Sequence, residues 1–86
     1  MPVASREEVE TFIVAALKRE LELDDSLRVD PEADVTKLPN ADSVRLLRVV
    51  GAVEHEYDVQ FDDSVVFDVD TVRSMSEIVL SLLEGR

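Results

Sequence analysis

Ser43 is the group in this chain whose setting most suggests chemistry. It lies in the run Asn40-Ala41-Asp42-Ser43-Val44, just after a loop containing Pro31 and Pro39. It also opens the most apolar periodic segment, Val44 to Tyr57. A serine there falls at a predicted helix N-terminus, where backbone N–H groups lack partners and the dipole is positive. An anion tethered to that hydroxyl, such as a phosphodiester, would meet a favourable field. Plain capping also suits the position, because Asp42 and Ser43 are both preferred N-cap types. On spacing alone, capping is the stronger reading.

Other chemistries fail on composition or spacing. His55 is the single histidine and there is no cysteine, so a His- or Cys-rich metal site is excluded. Ser43 and His55 fall at opposite ends of one predicted helix, about 18 Å apart at the helical rise. That separation rules out direct proton transfer in a Ser-His-Asp triad. Asp68-x-Asp70 starts like a calcium loop, but Arg73 stands where the loop needs Gly and Val79 where it needs Glu. Starting at Asp62 puts Phe67 at the Gly position, which also fails. The acids Asp58, Asp62, Asp63, Asp68 and Asp70 read instead as a solvated or partner-facing surface. No Gly-rich phosphate loop is present. The chain does not read as an enzyme, and no metal is expected.

The elements that must position Ser43 are helical. Ser5-Arg6-Glu7-Glu8 reads as a capping box, and Val9, Phe12, Ile13, Ala16, Leu17 and Leu21 follow at helical spacing. A first helix is predicted from about Arg6 to Leu21. Residues 24–41 form a long connection in which Leu27, Val29, Val35 and Leu38 would pin the loop over the helices. Asn40 is the best non-Gly residue for a turn at positive φ. The second helix runs from Asp42 or Ser43 to Tyr57, with Val44, Leu47, Val50 and Val53/Tyr57 on one face and Leu46 and Val49 broadening it. Gly51 inside it costs roughly 1 kcal/mol relative to Ala, and is either simply tolerated or lets a neighbouring helix approach closely. Asp58 to Phe61 alternates and reads as extended and half-buried. A short third helix is predicted from Asp63 to about Phe67. Thr71 caps a last helix, Val72 to about Leu83, whose face is Met75, Ile78, Val79, Leu82 and Leu83. The expected class is all-α: a small four-helix bundle of three longer helices and one short one, with a long first loop.

Composition bounds the partners. The chain has 86 residues, enough for one small domain, 1–86. Its 45% hydrophobic content is that of a folded protein. The formal net charge of −11 argues against nucleic acid and anionic membranes. It favours partners with basic patches, at least in steering the encounter. The N-terminal residues Met1 to Glu8 do not read as a signal peptide, and the longest apolar run, Phe12 to Leu17, is too short to span a bilayer. A cytoplasmic monomer is expected.

The pattern Asp42-Ser43-Val44, then Leu46-Leu47, Val49-Val50 and Glu54-His55-Glu56-Tyr57-Asp58-Val59, resembles the acyl carrier protein family. There an Asp-Ser-Leu or close variant opens the second helix. Thr71-Val72-Arg73-Ser74-Met75 is similar to the family's start of its final helix. The likeness extends from about Glu7 to Leu83, including the long tacked-down first loop. It departs where the family has Gly two residues before the Asp, for Asn40 stands there.

The resemblance implies that Ser43 carries a covalent 4′-phosphopantetheine arm, installed from coenzyme A by a phosphopantetheinyl transferase, which Asp42 would contact. The thiol would then belong to the cofactor, which accommodates a chain without cysteine. Acyl-loading and acyl-processing enzymes, such as a ligase, acyltransferase or ketosynthase, are the implied partners. Val44, Arg45, Arg48 and Glu54 are the candidate partner contacts. Leu47, Val50 and other inward residues would line a core that could shelter an acyl chain. Many fatty-acid carriers are acidic along this helix, whereas Arg45 and Arg48 make its first turns positive. That points to a dedicated carrier of polyketide or related secondary metabolism ahead of one of fatty-acid biosynthesis, unless both arginines simply form exposed ion pairs worth less than about 1 kcal/mol. The alternatives are a peptidyl carrier, which usually has Gly-Gly where Asn40-Ala41 stand, and an unmodified helical interaction module.

Overall fold

Ser5 begins the first helix in the computed structural model, which describes residues 5–62 and 70–85. Its hydroxyl accepts the Glu8 N–H at 3.2 Å, the serine half of the expected capping box. Helix α1 then spans Arg6–Glu20, with Glu7 and Glu8 in its first turn and Lys18 and Arg19 in its last. Those signs suit the helix dipole. Val9, Ile13, Ala16 and Leu17 recur at helical spacing and are buried. Leu21 ends the helix by donating its N–H to the Leu17 carbonyl at 2.8 Å, and its side chain is fully buried.

The long first loop is pinned, though not by every residue expected. Val29 and Val35 are buried and Leu38 is half-buried, but Leu27 is 36% exposed and does not serve as a pin. Backbone bonds supply the rest. The Arg73 N–H donates to the Pro31 carbonyl and the Val35 N–H to the Asp70 carbonyl, each at 2.8 Å. Within the loop a 3₁₀ turn, Val35–Lys37, is capped by Asp34. The Thr36 hydroxyl and N–H both donate to the Asp34 carboxylate and hold its pKa below the ordinary value.

Helix α2 spans Ser43–Tyr57 and helix α3 spans Val72–Glu84. Asp58 closes α2 in the left-handed region at φ 52. Thr71 caps α3 in a complete capping box with Ser74. Val72, Met75 and Val79 are buried in the core, while Ile78, Leu82 and Leu83 pack half-buried at its edge. Helix α1 packs against both α2 and α3. Phe12 of α1 meets Tyr57 of α2 edge to face, with ring centres 5.7 Å apart.

The architecture is all-helical: among the described residues there are three α-helices, the 3₁₀ turn and no strand beyond an isolated bridge between Asp34 and Thr71. The short helix expected from Asp63 to about Phe67 lies outside the described residues.

One expectation about α2 needs correction. Val44 and Leu47 do not face inward: they are 58% and 48% exposed. The buried stripe is Val49, Val50 and Val53, flanked by half-buried Leu46 and Tyr57. The helix carries two apolar stripes and can bury one. The stripe 46-49-50-53-57 continues at steps of three and four to the helix end. The stripe 44-47 breaks at Gly51, which has no side chain to bury. Val50 therefore lines the interior, whereas Leu47 does not.

Gly51 is exposed, and a Cβ added there would meet no atom of the described residues within 4 Å. No helix of the described fold approaches it. Gly51→Ala is therefore expected to stabilise the protein by about 0.5–1 kcal/mol, mainly by lowering the entropy of the unfolded chain. A thermal melt reads this directly, and an unchanged or lower Tm would contradict it.

Candidate functional site

The site is built by the turn that stops the first loop and starts α2. Asn40 adopts φ 66, a left-handed conformation that asparagine tolerates better than most residues. Its side-chain amide donates to the Leu21 carbonyl at 2.9 Å, tying the turn to the end of α1. The Ala41 N–H donates back to the Leu38 carbonyl at 3.1 Å. Asp42 is then extended, and its carboxylate accepts the Arg45 N–H at 2.8 Å. That makes Asp42 the N-cap and Ser43 the first helical residue.

Ser43 is exposed, and among the described residues its hydroxyl makes no hydrogen bond. The amides of Ser43 and Val44 are the first two of the helix and have no acceptor one turn earlier. An anion on the Ser43 oxygen would therefore stand at the positive end of α2. Val44 and Leu47 add exposed apolar surface on the following turn. Arg48 is also exposed and makes no ion pair among the described residues.

The structure separates the remaining candidates. Arg45 is one-third exposed, and its guanidinium lies 3.4 Å from the Asp42 carboxylate, the Glu22 carboxylate and the Glu20 carbonyl. It is thus engaged within the chain. Glu54 lies three turns along α2, about 16 Å from Ser43 at the helical rise. Its carboxylate accepts the Phe61 N–H at 2.7 Å, which fastens the segment after α2. Asp42, Ser43, Val44, Arg45 and Arg48 are therefore brought together, while Glu54 is not. His55 is exposed near the far end of the helix. Sequence reasoning missed the contribution of Glu20 and Glu22, because nothing local marks a helix end as a neighbour of residue 45. No group of three or more potential ligands could hold a metal ion among the described residues. Among them, too, no helix is long and apolar enough to cross a membrane.

Residues 11–79 match the model of a protein family described as the phosphopantetheine attachment site. That match covers most of the chain, from within α1 to within α3. The chain belongs to this family. Its cofactor is accordingly 4′-phosphopantetheine, bound covalently through a serine. No curated protein matches the sequence. The residues of this carrier domain fit such a group: an exposed serine stands at a positive helix end, with open amides beside it.

Proposed function

We propose that Ser43 is the attachment point of the 4′-phosphopantetheine arm and that the chain is a discrete acyl carrier. The observation that carries this is a solvent-facing serine as the first residue of α2, directly behind its Asp42 cap. The other described serines support the choice. Ser76 is buried, and Ser74 is committed to the capping box of α3. Ser26 donates its hydroxyl to Asp24, and Ser5 caps α1. Ser81 is exposed but sits deep in α3, far from any positive helix end.

In the modification step the Ser43 oxygen forms a bond to phosphorus as the pyrophosphate bond of coenzyme A breaks and adenosine bisphosphate departs. The hydroxyl proton passes to a base on the transferase. The open amides at the start of α2 favour the phosphodiester that results. Once attached, the arm supplies a thiol that holds an acyl group as a thioester. The chain itself performs no reaction; Ser43 anchors, Asp42 sets the helix start, and the exposed face of α2 meets enzymes. Intact-mass measurement after incubation with coenzyme A and a broad-specificity transferase tests this reading. Gain of a single arm supports it, and an unchanged mass refutes it.

The partners are the transferase and acyl-loading and acyl-processing enzymes of polyketide or related secondary metabolism, meeting a cytoplasmic monomer. Arg48 supports the dedicated-pathway reading, since it places an exposed positive charge, without an ion pair among the described residues, one turn beyond Ser43 on an otherwise acidic chain. Val44 adds an apolar contact on the same face. Arg48→Glu is expected to lower kcat/KM for loading by the cognate enzyme several-fold, mainly by slowing association. Loading at the wild-type rate would remove Arg48 from the interface.

A further inference from the structure

We propose that Arg45 is a positioning residue, whose side chain holds the start of α2, and with it Ser43, against the C-terminal end of α1. The inference rests on Ser43 as the attachment point and assigns Arg45 an internal task instead of a partner contact. Its side chain bridges three acceptors. Nε lies 3.4 Å from one Asp42 carboxylate oxygen, and Nη1 lies 3.4 Å from both the Glu22 carboxylate and the Glu20 carbonyl. Its backbone N–H takes the other Asp42 oxygen at 2.8 Å. One residue therefore engages both oxygens of the helix cap.

The anchor behind this bridge is firm. Glu20 is the last residue of α1, at the negative end of that helix dipole, and Leu17 and Leu21 beside it are fully buried. Asn40 adds a second tie to the same place through the Leu21 carbonyl. The cap residue Asp42 thus lies between two tethers that both run to the end of α1. Helix first turns fray readily, because their amides lack intrahelical acceptors. A hydroxyl on a frayed turn reaches its reacting geometry less often, and reaction rates are sensitive to such misplacement. Arg45 also offsets the Asp42 charge beside the hydroxyl, which would otherwise repel an incoming phosphate. A planar fork serves several acceptors at once, whereas an ammonium is a single point charge.

The test compares the wild-type protein with Arg45→Ala and Arg45→Lys. The Arg45 and Leu46 amides bond to the Asp42 carboxylate and carbonyl respectively, so exchange at positions 45 and 46 reports the clamp. Arg45→Ala is expected to speed exchange there about three- to fivefold, the scale of a partly exposed charge network, and to leave α3 unchanged. It is expected to lower kcat/KM for arm transfer by a similar factor. Arg45→Lys should recover less than half of either loss. Unchanged exchange at 45 and 46 in Arg45→Ala overturns the proposal. So does a lysine variant that transfers at the wild-type rate while exchanging like the alanine variant, since charge alone would then suffice. If the wild-type chain accepts no arm, the reading of Ser43 falls, while the exchange comparison still decides whether Arg45 holds the helix start.

Discussion

Ser43→Ala is expected to abolish uptake of the arm completely, because on the proposed assignment the substitution removes the oxygen that bonds to phosphorus. The fold should not notice. Ser43 is exposed at the first position of α2, and the cap is made by Asp42. Alanine is the best helix former, and surface changes of this kind usually stay within about 0.5 kcal/mol. The variant should therefore melt like wild type yet keep its apo mass after incubation with coenzyme A and transferase. That combination separates loss of the nucleophile from loss of structure. A variant that still gains the arm would move the attachment to another serine. A variant that unfolds would mean Ser43 contributes more to the helix start than its exposure implies.

The second large effect concerns which apolar face is buried. Ile13 of α1 is fully buried, on a helix that packs against both α2 and α3. Ile13→Ala removes three carbons from that core and leaves a cavity that the two neighbouring helices close only in part. A loss of about 2–5 kcal/mol is expected. In a domain of this size that is a large fraction of the total stability, and Tm should fall by at least roughly 10 °C. Leu47→Ala removes an equally large side chain, but from a position that is 48% exposed. Its cost should be below about 1 kcal/mol. Denaturant titration of both variants reads the contrast. Equal losses would mean that α2 is rotated about its axis relative to the face described above. The same pair bears on the proposed function, since Leu47 lies on the exposed face of α2 and Ile13 in the core.

Much of this arrangement is legible from local chemistry. Capping residues act within one turn of the helices they start, so Ser5 and Thr71 mark the starts of α1 and α3, and the pair Asp42-Ser43 that of α2, without reference to anything distant. The placement of Ser43 at a helix N-terminus follows from the same short-range rule. Val29 and Val35 are recognisable as candidate pins because covering isolated apolar residues of a polar loop is favourable, although the same rule misplaces Leu27. The left-handed turn at Asn40 is likewise readable from residue type.

What local pattern does not contain is rotation and reach. Helix α2 has two apolar stripes within its first turns, and although only one of them continues to the helix end, it is packing against α1 that buries it. That is why Leu47 lies outward although its spacing with Val50 predicts an inward position. Arg45 and Arg48 look alike in the chain, three residues apart, yet one bridges to the end of α1 and the other projects into solvent. The difference arises because Glu20 and Glu22 lie more than twenty residues earlier and arrive beside Arg45 through the fold alone. The amino-acid order by itself determined where the helices begin and which hydroxyl opens the second. Only tertiary packing decided which face that helix shows and which of its two arginines is spoken for, because both depend on neighbours remote in sequence.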